Sequence, residues 1–135
     1  MKELTVLVVD DMRSMRAIVK GVLQGMGFQK IFEAADGQEA LSSLRFRKVD
    51  LVICDVEMPK MDGIGLLDEV RNDDNLKSVP FIMLTAMSQR EKVEEIIEHE
   101  VSDFVLKPIN PQILEDRVRA FLDSMGREEI PDLDA

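Results

Sequence analysis

The run Val49-Asp50-Leu51-Val52-Ile53-Cys54-Asp55-Val56-Glu57-Met58-Pro59 decides how this chain folds. From Val49 to Cys54 the apolar residues stand almost side by side instead of alternating with polar ones. A strand of that kind is buried on both faces, as in a parallel sheet with helices above and below it. The run stops at a lone carboxylate, Asp55, so an apolar strand delivers an acid to its own carboxyl end.

Two more runs share this character, Leu4 to Val9 and Phe81 to Leu84. Lys30 to Ala34 and Asp103 to Leu106 are weaker strand candidates. Between them the hydrophobic period changes to that of a helix. Met15, Ile18, Val19, Val22, Leu23 and Met26 share one face, with Gly27 as the stop. Gly37, Ala40, Leu41 and Leu44 form a second stripe, and Leu66, Leu67 and Val70 a third. Val93, Ile96 and Ile97 form a fourth. Leu114, Val118, Phe121, Leu122 and Met125 form a fifth, closed by Gly126. Five strands alternating with five helices predict a doubly wound α/β sandwich with right-handed crossovers. Residues 1–125 read as one domain. Gly126 to Ala135 lack a core stripe, contain Pro131, and read as a mobile acidic tail.

Composition narrows the function. The 135 residues are 45% hydrophobic, enough for one core without metal or disulfide. The formal net charge of -10 argues against binding nucleic acid or docking on an anionic membrane surface. No apolar stretch approaches the length that spans a bilayer, and no secretion signal begins the chain. Cys54 is the only cysteine, so no intramolecular disulfide forms, which is compatible with a cytoplasmic protein. Inside an apolar strand Cys54 reads as a small core residue. His99, the only histidine, reads as a surface residue.

In open α/β sheets, ligands sit beyond the carboxyl ends of the strands. The first run ends in Asp10-Asp11, the third in Asp55, the fourth in Thr85 and the fifth in Lys107-Pro108. Three carboxylates, a hydroxyl and an ammonium therefore line one edge of the sheet. Clustered carboxylates repel and call for a cation, and an all-oxygen donor set favours a hard ion such as Mg²⁺. Asp10 and Asp11 are its expected holders. Asp55, alone at a central strand end, is the candidate nucleophile for a phosphoryl group. Thr85 and Lys107 are placed to meet the phosphoryl oxygens.

Five motifs complete the reading: Val8-Val9-Asp10-Asp11, Cys54-Asp55-Val56-Glu57-Met58-Pro59, Met61-Asp62-Gly63, Leu84-Thr85-Ala86 and Lys107-Pro108. Together they resemble the receiver domain of two-component response regulators, from Leu4 to about Met125. Asp11 to Arg16, Ile18-Val19 and Gly27-Phe28 are similar to the stand-alone, CheY-like chemotaxis branch. The resemblance implies a flavodoxin-like (βα)5 fold with strand order 2-1-3-4-5. It implies that Asp55 is phosphorylated by a histidine kinase, and that Asp10, Asp11, Asp55 and the backbone carbonyl of Glu57 bind Mg²⁺. It gives Thr85 and Lys107 the sensing of phosphate, and Phe104 the role of an aromatic switch. The usual Tyr hydroxyl is missing at Phe104. Glu57 and Met87 depart from the CheY pattern at two positions that tune loss of the phosphate. The implied output is a downstream protein, such as the flagellar motor switch or a phosphatase. That partner binds the face made by the fourth stripe, the fifth strand and the fifth stripe.

On this reading the chain is a signalling protein that assists its own phosphorylation and dephosphorylation, without being an enzyme. Four alternatives compete. A Mg²⁺-dependent phosphohydrolase would commonly add a cap or a second acid as base. A scaffold would not need the set Asp10, Asp11, Asp55, Thr85 and Lys107. A relay intermediate or phosphate sink would use the same five residues. A receiver cut from a larger regulator would make the acidic tail the start of a linker.

Overall fold

The computed structural model describes residues 3–86, 91 and 101–125. Five parallel strands form one sheet: β1 (Thr5–Val9), β2 (Lys30–Ala34), β3 (Leu51–Asp55), β4 (Phe81–Ala86) and β5 (Asp103–Lys107). Their order is β2-β1-β3-β4-β5, the flavodoxin-like order that the resemblance implied. Four helices occur among the described residues: α1 (Arg13–Gly25), α2 (Gly37–Phe46), α3 (Gly63–Arg71) and α4 (Pro111–Ser124). The predicted fourth stripe at Val93, Ile96 and Ile97 lies outside the described residues, as do Met87, His99 and the tail from Gly126 to Ala135.

The solid apolar runs are explained by a core on each side of the sheet. Val6, Val8, Leu51, Ile53, Ile82, Leu84 and Val105 meet Val19, Leu23, Leu114, Val118 and Phe121 from α1 and α4. Their sequence neighbours Leu7, Val9, Val52, Cys54 and Met83 meet Ala40, Leu44, Leu66, Leu67 and Val70 from α2 and α3. Each strand residue thus loses its water on one face or the other. Burying a large aliphatic side chain contributes about 1.5–3 kcal/mol, so an acid inserted in such a strand is tolerated only at its end.

At Val49, and at Ile18 and Met125, the structure differs from the sequence pattern. Val49 is buried, yet it precedes β3, which begins at Leu51. Asp55 and Lys107 are the final residues of their strands and Thr85 the penultimate one, at the strand ends where the sequence puts them. Ile18 and Met125, expected on core stripes, are 42% and 40% exposed. Val19, one residue further round α1, takes the central position over the sheet. Met125 is the C-cap, one residue beyond the helical turns that pack. Gly27 ends α1 as expected: its φ of 102° is costly for any residue with a Cβ.

The connection from β3 to α3 turns very tightly. The Gly63 N–H donates to the Val56 carbonyl at 2.8 Å. A Cβ at Gly63 would lie 2.4 Å from the carbonyl oxygen of Asp55 and 3.0 Å from the Val56 Cα. Both are backbone atoms, so no rotamer change relieves the clash. Asp62 caps α3 by accepting from the Gly65 N–H at 2.8 Å. Gly63→Ala is expected to cost about 1–3 kcal/mol of stability, in the range of other steric insertions into packed sites. Urea denaturation of the two proteins measures it, and equal midpoints would contradict this account of the turn.

Candidate functional site

β1 and β3 are neighbours at the centre of the sheet, and the chain leaves them toward opposite layers, α1 on one face and α3 on the other. The strand ends therefore part over a crevice, where α/β sheets hold their ligands. Asp10 follows β1, and Asp55 ends β3. Asp10, Asp11 and Asp55 each bring a carboxylate oxygen to within 4.8 Å of the others. Asp10 is wholly buried, Asp55 is 5% exposed, and Asp11 faces solvent. The fifth strand contributes the counter-charge. Lys107 Nζ lies 3.2 Å from Asp55 Oδ2 and 3.5 Å from Asp10 Oδ2.

Local backbone structure steers these groups. Asp10 Oδ1 accepts from the Met12 N–H at 2.9 Å, which fixes one oxygen against the start of α1. The Asp10 N–H donates to the Ala34 carbonyl at 3.1 Å, extending the β1–β2 ladder by one residue. Arg16 Nη1 donates to the Asp10 carbonyl at 2.6 Å, while its Nε donates to Glu33 Oε1 at 2.8 Å. That contact holds the Glu33 carboxyl below its ordinary pKa, with Lys20 assisting. Arg16 thus ties the turn after β1 to β2. The sequence pattern alone gives Arg16 no role of its own. A cation one helical turn past an acidic strand end was the available signal.

The surroundings of Asp55 disfavour its charged form. Loss of water on burial pushes its pKa from 3.8 up to about 6, and the Asp10 charge pushes the same way. Lys107 and the backbone N–H of Glu57 oppose the shift without cancelling it. For Lys107 burial works to lower the pKa, and the two carboxylates more than reverse that, so it stays charged. Cys54 lies wholly buried with its thiol against the Asp55 carbonyl at 3.2 Å, and burial raises its pKa well above the ordinary value. It is the inert core residue expected.

Thr85 is fully buried at the end of β4, and its hydroxyl donates to the Ala86 carbonyl at 3.4 Å. It pairs in register with Leu106, the residue before Lys107. Phe104 is half-buried and packs against the core on the α2 and α3 side. Glu57 is exposed, just past Asp55. Asp10, Asp11, Asp55 and Lys107 are therefore brought together, Thr85 stands on the neighbouring strand end, and Met87 lies outside the described residues. A cleft of about 910 Å³ elsewhere is lined by Arg45, Phe46, Asp73, Ser78 and Met125, and it includes none of the five strand-end residues. The three clustered carboxylates of the crevice, an all-oxygen donor set, suit a hard divalent cation such as Mg²⁺.

Fold and site together define a receiver module of two-component signalling. Residues 6–119 match the family described as the response regulator receiver domain, and the chain belongs to that family. It is CheY-like. It is 37% identical over 121 residues to chemotaxis protein CheY of Pseudomonas aeruginosa, covering 90% of this chain and 98% of that protein. It is 38% identical over 117 residues to chemotaxis protein CheY-3 of Vibrio cholerae, covering 87% of this chain and 90% of the relative. Among solved structures, the chemotaxis response regulator CheY4 of Vibrio cholerae superposes with a TM-score of 0.79 at 35% identity, over 87% of this chain and 97% of that one. The receiver domain of AraT from Geobacillus stearothermophilus superposes with a TM-score of 0.81 at 29% identity, over 93% and 98%. No described helix is long and apolar enough to cross a membrane.

The raised pKa of Asp55 has a sign that can be measured. The folded carboxyl keeps its proton to a higher pH than the unfolded one, so ionising it costs stability. That cost accrues as the pH rises from 3.8 to about 6 and persists above. Asp55→Asn removes it. The variant is expected to melt a few degrees above the wild type at pH 7.5 without metal, on the order of the shift that about 1 kcal/mol produces. The gap should close toward pH 4. Parallel thermal melts across this range test it, and a gap that is constant or widens toward pH 4 would contradict the assignment.

Proposed function

We propose that this chain is a phosphorylation-driven binding switch in chemotaxis, with Asp55 as acceptor and a histidine kinase as donor. The observation that carries this reading is the placement of Lys107 Nζ within 3.5 Å of both Asp55 and Asp10, beside three clustered carboxylates. The chemotaxis names of its relatives support the pathway and a cytoplasmic location.

The chemistry follows from charge. An Asp55 oxygen forms a bond to phosphorus while the phosphorus–nitrogen bond of a phosphohistidine breaks. The imidazole leaves with the electron pair and takes a proton from solvent. Asp55 is mostly ionised at neutral pH despite its raised pKa, so the nucleophile is present. Asp10, Asp11, Asp55 and the Glu57 carbonyl would hold Mg²⁺, which when bound neutralises charge on the phosphoryl oxygens. Lys107 stands where it can pair with one of those oxygens in exchange for the Asp55 charge it faces in the free protein.

Release of that ion pair is the switch. A phosphoryl group shifts a two-state equilibrium only through contacts that differ between the states. Lys107 and Thr85 supply them at the ends of adjacent strands. Phe104, three residues before Lys107 and only half-buried, is the side chain free to answer by turning inward. Glu57, exposed at the rim, and Met87 would tune the acyl-phosphate lifetime. The proposed output face, from the predicted fourth stripe to β5 and α4, would bind the flagellar motor switch or another downstream protein. Part of it lies outside the described residues.

With acetyl phosphate and Mg²⁺ the protein should gain one phosphoryl group, and Asp55→Asn should gain none. Intact-mass spectrometry decides, and equal labelling of the variant would overturn the assignment. Mg²⁺ should also raise the melting temperature by mass action. Stabilisation that survives the double change Asp10→Asn and Asp11→Asn would place the metal elsewhere.

A further inference from the structure

The acceptor loop, residues 56–62, runs from Asp55 to α3 and carries the Glu57 carbonyl. Its near end is closed by Gly63. Its far end is held by a different helix. The Gly37 N–H, at the start of α2, donates to the Met61 carbonyl at 2.8 Å. A Cβ at Gly37 would lie 2.4 Å from that carbonyl oxygen, 2.7 Å from Met61 Cγ and 2.8 Å from Met61 Cβ. The first contact is with backbone, so a side-chain rotation cannot relieve it. One residue earlier, Asp36 lies 3.7 Å from Lys60 Nζ across the same contact. Lys60 itself has φ of 66°, a left-handed conformation that a lysine adopts at a cost.

The α2 side of this contact is stiff. Asp36 Oδ1 accepts from the Glu39 N–H at 2.8 Å, and Glu39 Oε1 accepts from the Ala35 N–H at 3.0 Å, a reciprocal cap. Asp36 and Gly37 are both buried. On the loop's other side, Met61 Cγ is 3.2 Å from where a Cβ on Gly65 would stand. Met61 is therefore held between the first turns of α2 and α3, and its backbone has little room to move.

We propose that Gly37 is a positioning residue for the phosphoacceptor site: it lets α2 seat the 56–62 loop, and so sets where the Glu57 carbonyl stands beside Asp55. This rests on the reading of Asp55 and its metal given above. A methyl group at Gly37 needs the Met61 carbonyl, 2.4 Å away, to retreat by about 1 Å to reach an ordinary contact, and displacements of about 1 Å in a reacting site cost up to about 100-fold in rate. The fold as a whole need not fail, because α2 keeps its cap and its core residues Ala40, Leu41 and Leu44.

The test measures Mg²⁺ affinity by titration and the acetyl phosphate labelling rate, in wild type, Gly37→Ala and Asp36→Ala. Asp36→Ala leaves Gly37 in place but removes the cap and the Lys60 ion pair, and so loosens the seat without a clash. Gly37→Ala should fold, bind Mg²⁺ about tenfold more weakly and label about tenfold more slowly, with labelling still confined to Asp55. Asp36→Ala should lose about two- to threefold in both. If Gly37→Ala does not fold, Asp36→Ala decides alone. Folded variants with wild-type affinity and rate would overturn the inference while leaving the acceptor assignment standing. A wild type that takes no phosphoryl group overturns the acceptor assignment itself, and the inference with it.

Discussion

Two carboxylates buried side by side with an ammonium between them set the terms for the rest of this molecule. Asp10 and Asp55 come from adjacent strands, and Lys107, 97 residues from Asp10, arrives from the far edge of the sheet. Taking such charges out of water is expensive, and their mutual attraction repays that only in part. The raised pKa of Asp55 is the residue of that unfinished repayment. A site left in this condition gains from any added cation or from any group that separates the like charges, so its electrostatic strain favours ligand binding.

The two packed cores allow the strain to persist. Every strand that ends in a site residue is apolar along its length and covered on both faces, apart from the more open β5. The carboxylates are held by rigid backbone, and the protein cannot relax by turning them to solvent. β5 is the exception that suits a switch. It is an edge strand with only Val105 buried, and it carries both Lys107 and Phe104. Of the strands that bring a residue to the crevice, β5 has the least packing to lose.

The loops at the crevice show the same economy. Gly63 and Gly37 each admit a carbonyl where any side chain would collide, and Arg16 pins the turn after β1 by its backbone instead of its carboxylate. The contacts of these three residues in the crevice are with main-chain carbonyls. Gly63 and Arg16 meet the backbone from which Asp55 and Asp10 project, and Gly37 meets the loop that follows Asp55.

Much of this was legible in the sequence, and the reason is local. Solid apolar runs differ from helical stripes because a strand buried on both faces must be apolar at every position. The acids at the ends of those runs stood out because they could not lie within them. Asp10, Asp11, Asp55, Thr85 and Lys107 are therefore legible in the sequence, and the fold class with them. The strand order came only through family resemblance, since runs and stripes do not say which strands are neighbours. Ile18 and Met125 fall outside the core because a stripe's edge is decided by how far the sheet reaches beneath it. The clash at Gly37 with Met61, the grip of Arg16 on the Asp10 carbonyl and the balance of charge on Asp55 belong to tertiary structure alone. Each depends on distances of a few ångströms between segments remote in the chain. Hydrophobic patterning records which face a residue turns to the core, and carries no record of what meets it there.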